Sequence, residues 1–365
     1  MTAGQNYDCL VVGGGLIGML TARELAQARL TVALVERGET GRESTWAGGG
    51  ILSPLYPWRY PDSVTALASW GQARYANLAE ALKAESGIDP EFQPNGLLIL
   101  DTEETAQARH WAEHWQHPLE VVDASRIRQI EPVLGKIPPH ALWLPQVGQV
   151  RNPRFAQALR KSIENLGVAL LEHTPVKGLV LGENTVHGVL TERGEINAER
   201  VIIAGGAWSA LLLESVGMNL PVKPIRGQMI LYRAEPGVVQ RIVLSRDRYV
   251  IPRRDGRILV GSTLEDVGFD KGTTRAAMQE LEAEAHRLIP ALTHYPIEHH
   301  WAGLRPGSPH GIPYIMQHPR ISGLYINTGH FRNGVVLGPA SARLLADILL
   351  EREPILDPAP YAPAD

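Results

Sequence analysis

The stretch Asp8-Cys9-Leu10-Val11-Val12-Gly13-Gly14-Gly15-Leu16-Ile17-Gly18 decides how the first third of the chain is built. A short apolar run leads straight into Gly13, Gly15 and Gly18 in G-x-G-x-x-G spacing, and residues 19–28 then read as helix. Strand, tight turn and helix in that order place a helix N-terminus where its positive dipole end can face a phosphate. One glycine permits the turn, the second lets backbone approach a pyrophosphate, and the third lets helix pack close on strand. Residues 30–35 (Leu-Thr-Val-Ala-Leu-Val) read as a second buried strand, and it ends at Glu36. An acid there, roughly 20 residues beyond the glycines, can accept both hydroxyls of an adenosine ribose. The opening therefore reads as a dinucleotide site.

At 365 residues the chain is too long for one small core and suits two domains or one large domain with an insertion. A hydrophobic content of 44% and a charged content of 20% are those of an ordinary globular protein, and a net charge of -4 without basic blocks argues against nucleic acid as a partner. No apolar run approaches the 18 residues of a membrane span, and no basic segment precedes an apolar one near Met1, so a cytoplasmic protein without a membrane partner is expected. The single cysteine, Cys9, lies inside the first expected strand and reads as a small buried apolar residue.

Beyond Glu36 the chain does not start another βα repeat. It becomes a polar loop from Arg37 that closes on Gly48-Gly49-Gly50, with Ser44 and Thr45 offering hydroxyls to a long cofactor. Residues 62–86 read as one helix and 96–100 as a strand. A helix over 103–117 carries His110, His114 and His117 at i, i+4 and i+7, but no acid or cysteine completes a ligand pattern and no metal is expected. Near Asn152-Pro153 the chain returns to the nucleotide unit, and residues 200–209 repeat the opening logic as a core strand ending at Gly205 and Gly206. Two such strand ends can grip opposite sides of one extended cofactor. Residues 222–263 alternate strand signals around an Asp255-Gly256 hairpin, as in an antiparallel substrate-binding sheet. The final helix, over 334–350, starts in a glycine-rich turn whose N–H groups would stabilise negative charge on a bound ring.

The expected fold is α/β: a Rossmann-like, glutathione-reductase-type domain interleaved with an α+β substrate domain on an antiparallel sheet. Residues 1–51, 146–219 and 300–355 fall to the first, 52–145 and 220–299 to the second, and 356–365 to a C-terminal tail.

Taken with the opening glycines and Glu36, the segments Trp301-Ala302-Gly303-Leu304-Arg305-Pro306-Gly307 and Gly329-His330-Phe331-Arg332-Asn333-Gly334 closely resemble the amino-acid oxidase family of flavoproteins, nearest its glycine-oxidising branch that serves thiamine biosynthesis. The resemblance covers almost the whole chain. It implies FAD as cofactor and oxidative deamination of glycine, sarcosine or small D-amino acids by oxygen, with peroxide as product. It implies that Arg332 pairs with the substrate carboxylate, that Arg305 lines the site and that Tyr249 contacts the same carboxylate. On the cofactor side it implies Leu16, Ile17, Glu36, Arg37, Ser44, Thr45, Gly49, Gly50, Ile51, Val176 and the run His330, Phe331, Arg332, Asn333, Gly334, Val335 and Val336. It also implies a homo-oligomer, a homotetramer in the family. Members that attach flavin covalently use a cysteine late in the chain, and none follows Cys9 here, so non-covalent FAD is expected.

Two other readings stand beside this one. A D-amino acid dehydrogenase would pass electrons to a membrane quinone and need an apolar docking surface, for which residues 51–58 are the one candidate. A non-catalytic nucleotide-binding protein would keep the glycine turn but has no use for two ordered arginines.

Overall fold

A computed structural model describes residues 6–363. The opening residues form β1 (Tyr7–Val12), α1 (Leu16–Gln27) and β2 (Val32–Val35), as their pattern requires. A one-turn helix α2 (Ser44–Ala47) precedes α3 (Asp62–Gln72), α4 (Tyr75–Ser86), β3 (Leu97–Ile99), α5 (Thr105–Trp115), β4 (Glu120–Asp123), α6 (Ala124–Ile130) and β5 (His140–Leu144). The chain returns as α7 (Asn152–Asn165), β6 (Ala169–Leu171), β7 (Val176–Leu181), β8 (Val186–Thr191), β9 (Gly194–Ile203) and α8 (Ser209–Glu214). It departs again through β10 (Lys223–Arg233), β11 (Ile242–Ser245), β12 (Arg248–Pro252), β13 (Arg257–Gly261), α9 (Arg275–Leu288) and β14 (Ile297–Gly307). It closes with β15 (Tyr314–Gln317), β16 (Leu324–Thr328) and α10 (Gly334–Leu349).

These strands make two sheets. The first has the order β15-β16-β9-β1-β2-β6, with β8 joined to β9 and β7 to β8. From β16 to β6 its path is parallel. Val12 stands in register with Val35 on one side and Ile203 on the other, so the strand ends carrying Gly13, Glu36 and Gly205 share one edge. That edge is where open α/β sheets bind ligands. Both faces of the sheet are covered, which is why β1 and β2 are apolar throughout. Cys9 is fully buried there, and burial pushes its thiol up to about 12, so it behaves as a neutral core residue. The second sheet, β14-β10-β13-β12-β11-β3-β5-β4, is antiparallel except where β11 runs beside β3.

The structure corrects four expectations. Residues 62–86 form two helices, not one, although no proline marks the break. Gly71 lies so close to α10 that an added Cβ would sit 2.2 Å from the Val336 carbonyl oxygen, and the Tyr75 hydroxyl donates to the Val335 carbonyl, so the chain turns between them to meet α10 twice. Those helices pack into the core beneath the first sheet, with Leu67 and Tyr75 beside Leu337 and Leu344, and not into the substrate unit. The boundary expected at 300 moves past Gly307, because β14 pairs with β10 from Ile297 to Gly307 within the second sheet. His117, read on a histidine face, stacks on Trp111 at 4.9 Å and meets the Ser69 hydroxyl at 2.8 Å.

Candidate active site

One elongated cavity runs from the glycine turn of the first sheet to the inner face of the second. At its first end Gly13 adopts φ 114°, and a Cβ there would stand 2.4 Å from the Ala204 carbonyl oxygen; a Cβ on Gly18 would stand 1.9 Å from the Gly13 carbonyl oxygen. Only glycine permits either approach. The N-terminus of α1 opens on the cavity with no acidic residue in its first turn and no side chain capping it from Gly15. Glu36 sits beside it: its carboxylate accepts the Gly14 N–H at 2.7 Å on one oxygen and the Gly38 N–H at 2.9 Å on the other. Each oxygen keeps a lone pair for a hydroxyl donor. The Arg37 guanidinium lies 3.6 Å from the centre of the Trp208 ring and 2.9 Å from Glu43.

The Ser44–Ala47 turn and the glycines after it cross from the first sheet to the second. Thr45 accepts the Leu16 N–H on its hydroxyl at 2.8 Å and the Asn152 side-chain amide on its carbonyl at 2.7 Å. Gly50, at φ 77°, passes the Val150 carbonyl where a Cβ would come within 2.1 Å. Arg253, buried in the interior, donates to the Gly49 carbonyl at 2.8 Å and the Val150 carbonyl at 3.0 Å, and burial lowers it to about 10. The loop is thus pinned from beneath.

At the far end Tyr249 of β12, Arg305 of β14 and Arg332 come together. The two arginine motifs are joined by the Phe331 N–H, which donates to the Pro306 carbonyl at 2.9 Å. Arg305 is fixed in place, donating to the Ser262 hydroxyl at 2.7 Å and the Thr263 carbonyl at 3.2 Å. Burial pulls its guanidinium below the ordinary value; the nearby Tyr249 hydroxyl opposes this, and the positive charge of Arg332 adds to it. Arg332 is different. Among the described residues its one ionic neighbour is Asp247 at 3.6 Å, so its donors stay available to a ligand.

Over this end stands α10, which has no acid in its first turn and no side chain capping its N-terminus. His330 is buried on the cavity wall, with Nε2 2.9 Å from the Ser341 hydroxyl and Nδ1 without a partner among the described residues. Burial lowers it to about 3, so it is neutral at pH 7. Asn327 Oδ1, on the same wall, is likewise unpartnered.

Nearly all the residues singled out from sequence line this one cavity, from Gly13, Gly15, Leu16 and Ile17 through Glu36, Arg37, Ser44, Thr45, Gly49, Gly50, Ile51, Val176 and Gly205 to His330, Phe331, Gly334 and Val335. Gly18, Asn333 and Val336 stand behind the lining. Gly18 sets the distance between helix and turn, the Asn333 backbone carbonyl accepts the Leu337 N–H at 3.0 Å as the first bond of α10, and Val336 is in the core. Sequence reasoning missed Arg253, Met229, Ser262 and Asn327. Arg253 follows a strand and precedes an Asp-Gly turn, a position that ordinarily reads as exposed. The apolar run 51–58, weighed as a docking surface, has Leu52, Leu55 and Tyr56 in the interior.

Two helix N-termini free of acidic residues, a carboxylate shaped for a ribose and a wall with unmet hydrogen-bonding atoms fit an extended dinucleotide carrying a ring at one end. Residues 8–348 match the model of a family described as FAD dependent oxidoreductase. A glycine oxidase from Pseudomonas aeruginosa is 52% identical, the match covering 97% of this chain and 98% of that protein. A bifunctional protein ThiO/ThiG from Synechocystis sp. is 33% identical over 95% of this chain, which spans 52% of the longer protein. The crystal structure of glycine oxidase from Geobacillus kaustophilus superposes with a TM-score of 0.93 at 32% identity, over 98% of each chain.

Proposed function

This chain belongs to the FAD dependent oxidoreductase family, and on that premise we propose that it converts glycine, water and oxygen to glyoxylate, ammonia and hydrogen peroxide, and treats sarcosine and small D-amino acids likewise. The observation that carries this reading is the meeting of Tyr249, Arg305 and Arg332 at one end of the cavity whose other end is built by Gly13 and Glu36.

Bound FAD supplies the acceptor that takes two electrons and a hydrogen from the α-carbon and hands them to oxygen. This chain supplies position and charge. Glu36 would accept the ribose hydroxyls, the N–H groups at the start of α1 would hold the pyrophosphate, and the positive end of α10 would stabilise negative charge on the ring. Arg332 forks onto the substrate carboxylate with two parallel hydrogen bonds, and the Tyr249 hydroxyl adds a third, which fixes the α-carbon toward the ring. Arg305, held by Ser262 and Thr263, is a standing positive charge. Two guanidinium groups so close disfavour an ammonium, so the amine is bound as the free base, ready for oxidation.

The fusion of a similar chain to a ThiG unit in Synechocystis supports a role in thiamine (thiazole) biosynthesis. A homo-oligomer, a tetramer by family, in the cytoplasm completes the reading; among the described residues no helix is long and apolar enough to cross a membrane. The test is a panel of small amines given to the purified holoprotein without added quinone. One peroxide and one ammonia per glycine consumed supports the reading. Turnover only with added quinone gives the dehydrogenase instead, and a colourless protein that refuses FAD gives the binding module.

A further inference from the structure

Beside the clamp stands a charge that the reaction does not use. The connection from β11 to β12 is a two-residue turn, Arg246-Asp247, with φ of 50° and 61°. Both residues lie in the left-handed region, as the tightest hairpins demand. The tip is tied down: the Arg246 N–H donates to Asp101 at 2.8 Å, the Asp247 N–H meets the Tyr56 hydroxyl at 3.4 Å, and that hydroxyl itself donates to Asp101. Tyr56 is buried, so the anchor is part of the interior. Asp247 precedes Tyr249 by two residues, so the turn sets a carboxylate close along the chain to a residue of the clamp. Its carboxylate ends 3.6 Å from Arg332 Nη1, outside the cavity lining and half exposed.

We propose that Asp247 is a specificity-determining residue, a fixed negative charge at the mouth of the site that selects amines with one carboxylate over amines with two. The inference rests on the reading of Arg332 as the carboxylate clamp. A single carboxylate reaches Arg332 by competing with Asp247 for one edge of the guanidinium, a modest cost because the pair stands 3.6 Å apart without a hydrogen bond and its carboxylate is half exposed. A second carboxylate, carried on the amine, has to settle near the rim, where a like charge on an anchored turn meets it; the other guanidinium groups nearby are engaged, Arg59 with Glu104 at 2.7 Å and Arg305 with Ser262 and Thr263. Such placed repulsion is how sites reject a near-analogue of their substrate.

The experiment uses the holoenzyme with glycine, with iminodiacetate (glycine bearing a second carboxymethyl group on nitrogen) and with acetate. In Asp247→Asn, which keeps the side-chain shape, the ratio of kcat/KM for iminodiacetate to that for glycine is expected to rise about tenfold. Asp247→Lys is expected to raise it further. The Kd of acetate, read from the perturbed flavin absorption and therefore independent of turnover, is expected to fall two- to fivefold in Asp247→Asn. An iminodiacetate ratio within twofold of wild type in both variants overturns the proposal, as does an unchanged acetate Kd. Arg332→Ala separates this failure from failure of the clamp itself: glycine capture lost in Arg332→Ala, with ratios unmoved at Asp247, sinks only the present inference, whereas glycine capture retained in Arg332→Ala sinks both.

Discussion

Replacing Arg332 by alanine isolates the carboxylate anchor from the rest of the molecule. The side chain leaves the turn between β16 and α10, and its one ionic contact is the 3.6 Å approach to half-exposed Asp247. A single pair at that distance, not hydrogen-bonded and open to solvent on its carboxylate side, is worth under about 1 kcal/mol, so the fold should tolerate the change and FAD should remain bound. Substrate capture should not. Removing one partner from a hydrogen-bonded charge pair in an enclosed site costs ~2–5 kcal/mol, which at ~1.4 kcal/mol per decade is roughly 30-fold to several thousand-fold in the glycine concentration needed. Arg332→Lys keeps the charge and loses the planar fork, so it should fall between, at about 5- to 30-fold. Anaerobic stopped-flow bleaching of the flavin against glycine concentration gives the dissociation constant directly. A constant within twofold of wild type in Arg332→Ala would refute the assignment of the clamp.

Three further outcomes are expected. Glu36→Ala removes the acceptor of two backbone N–H groups and of the ribose, and FAD retention should weaken by ~1.5–3 kcal/mol, seen as loss of yellow colour on dialysis that spares wild type. Gly18→Ala puts a methyl where the Gly13 carbonyl oxygen would be 1.9 Å away, so helix and turn must separate; stability should drop by ~1–3 kcal/mol with a matching fall in FAD affinity, checked by thermal melts with and without FAD. His330 is held near 3 by burial against an ordinary value near 6.5 in the unfolded chain. Its folded pKa is depressed, so the unfolded chain takes up the proton first and stability is lost as pH falls from about 6.5 toward 3, by about 2 kcal/mol at pH 5. His330→Gln should lose less stability than wild type between pH 7 and pH 5 in denaturant titrations, and equal losses would exclude the assignment.

Much of this site was legible because glycine is constrained by backbone geometry that sequence displays. Gly13 and Gly18 each sit where a Cβ has no room, so their spacing, together with the acid at Glu36, already described a strand edge and what meets it. The arginine cluster was legible only through resemblance. Arg305 and Arg332 lie on separate elements, and what joins them is one backbone hydrogen bond from Phe331 to Pro306, which no local pattern announces. Arg253 was illegible for a related reason: its burial depends on the glycine loop arriving from the other sheet. The break between α3 and α4 follows from contacts with α10, more than 250 residues later, and local helix preference gives no sign of it.

The most direct test of the account is a crystal structure of the holoenzyme with glycolate, which keeps the carboxylate and two-carbon frame of glycine and replaces the amine with a hydroxyl. The account predicts both carboxylate oxygens within about 2.7–3.0 Å of the Arg332 guanidinium, with the Tyr249 hydroxyl beside them and the α-carbon facing the isoalloxazine ring. Glycolate bound elsewhere in the cavity, with Arg332 still turned toward Asp247, would contradict it.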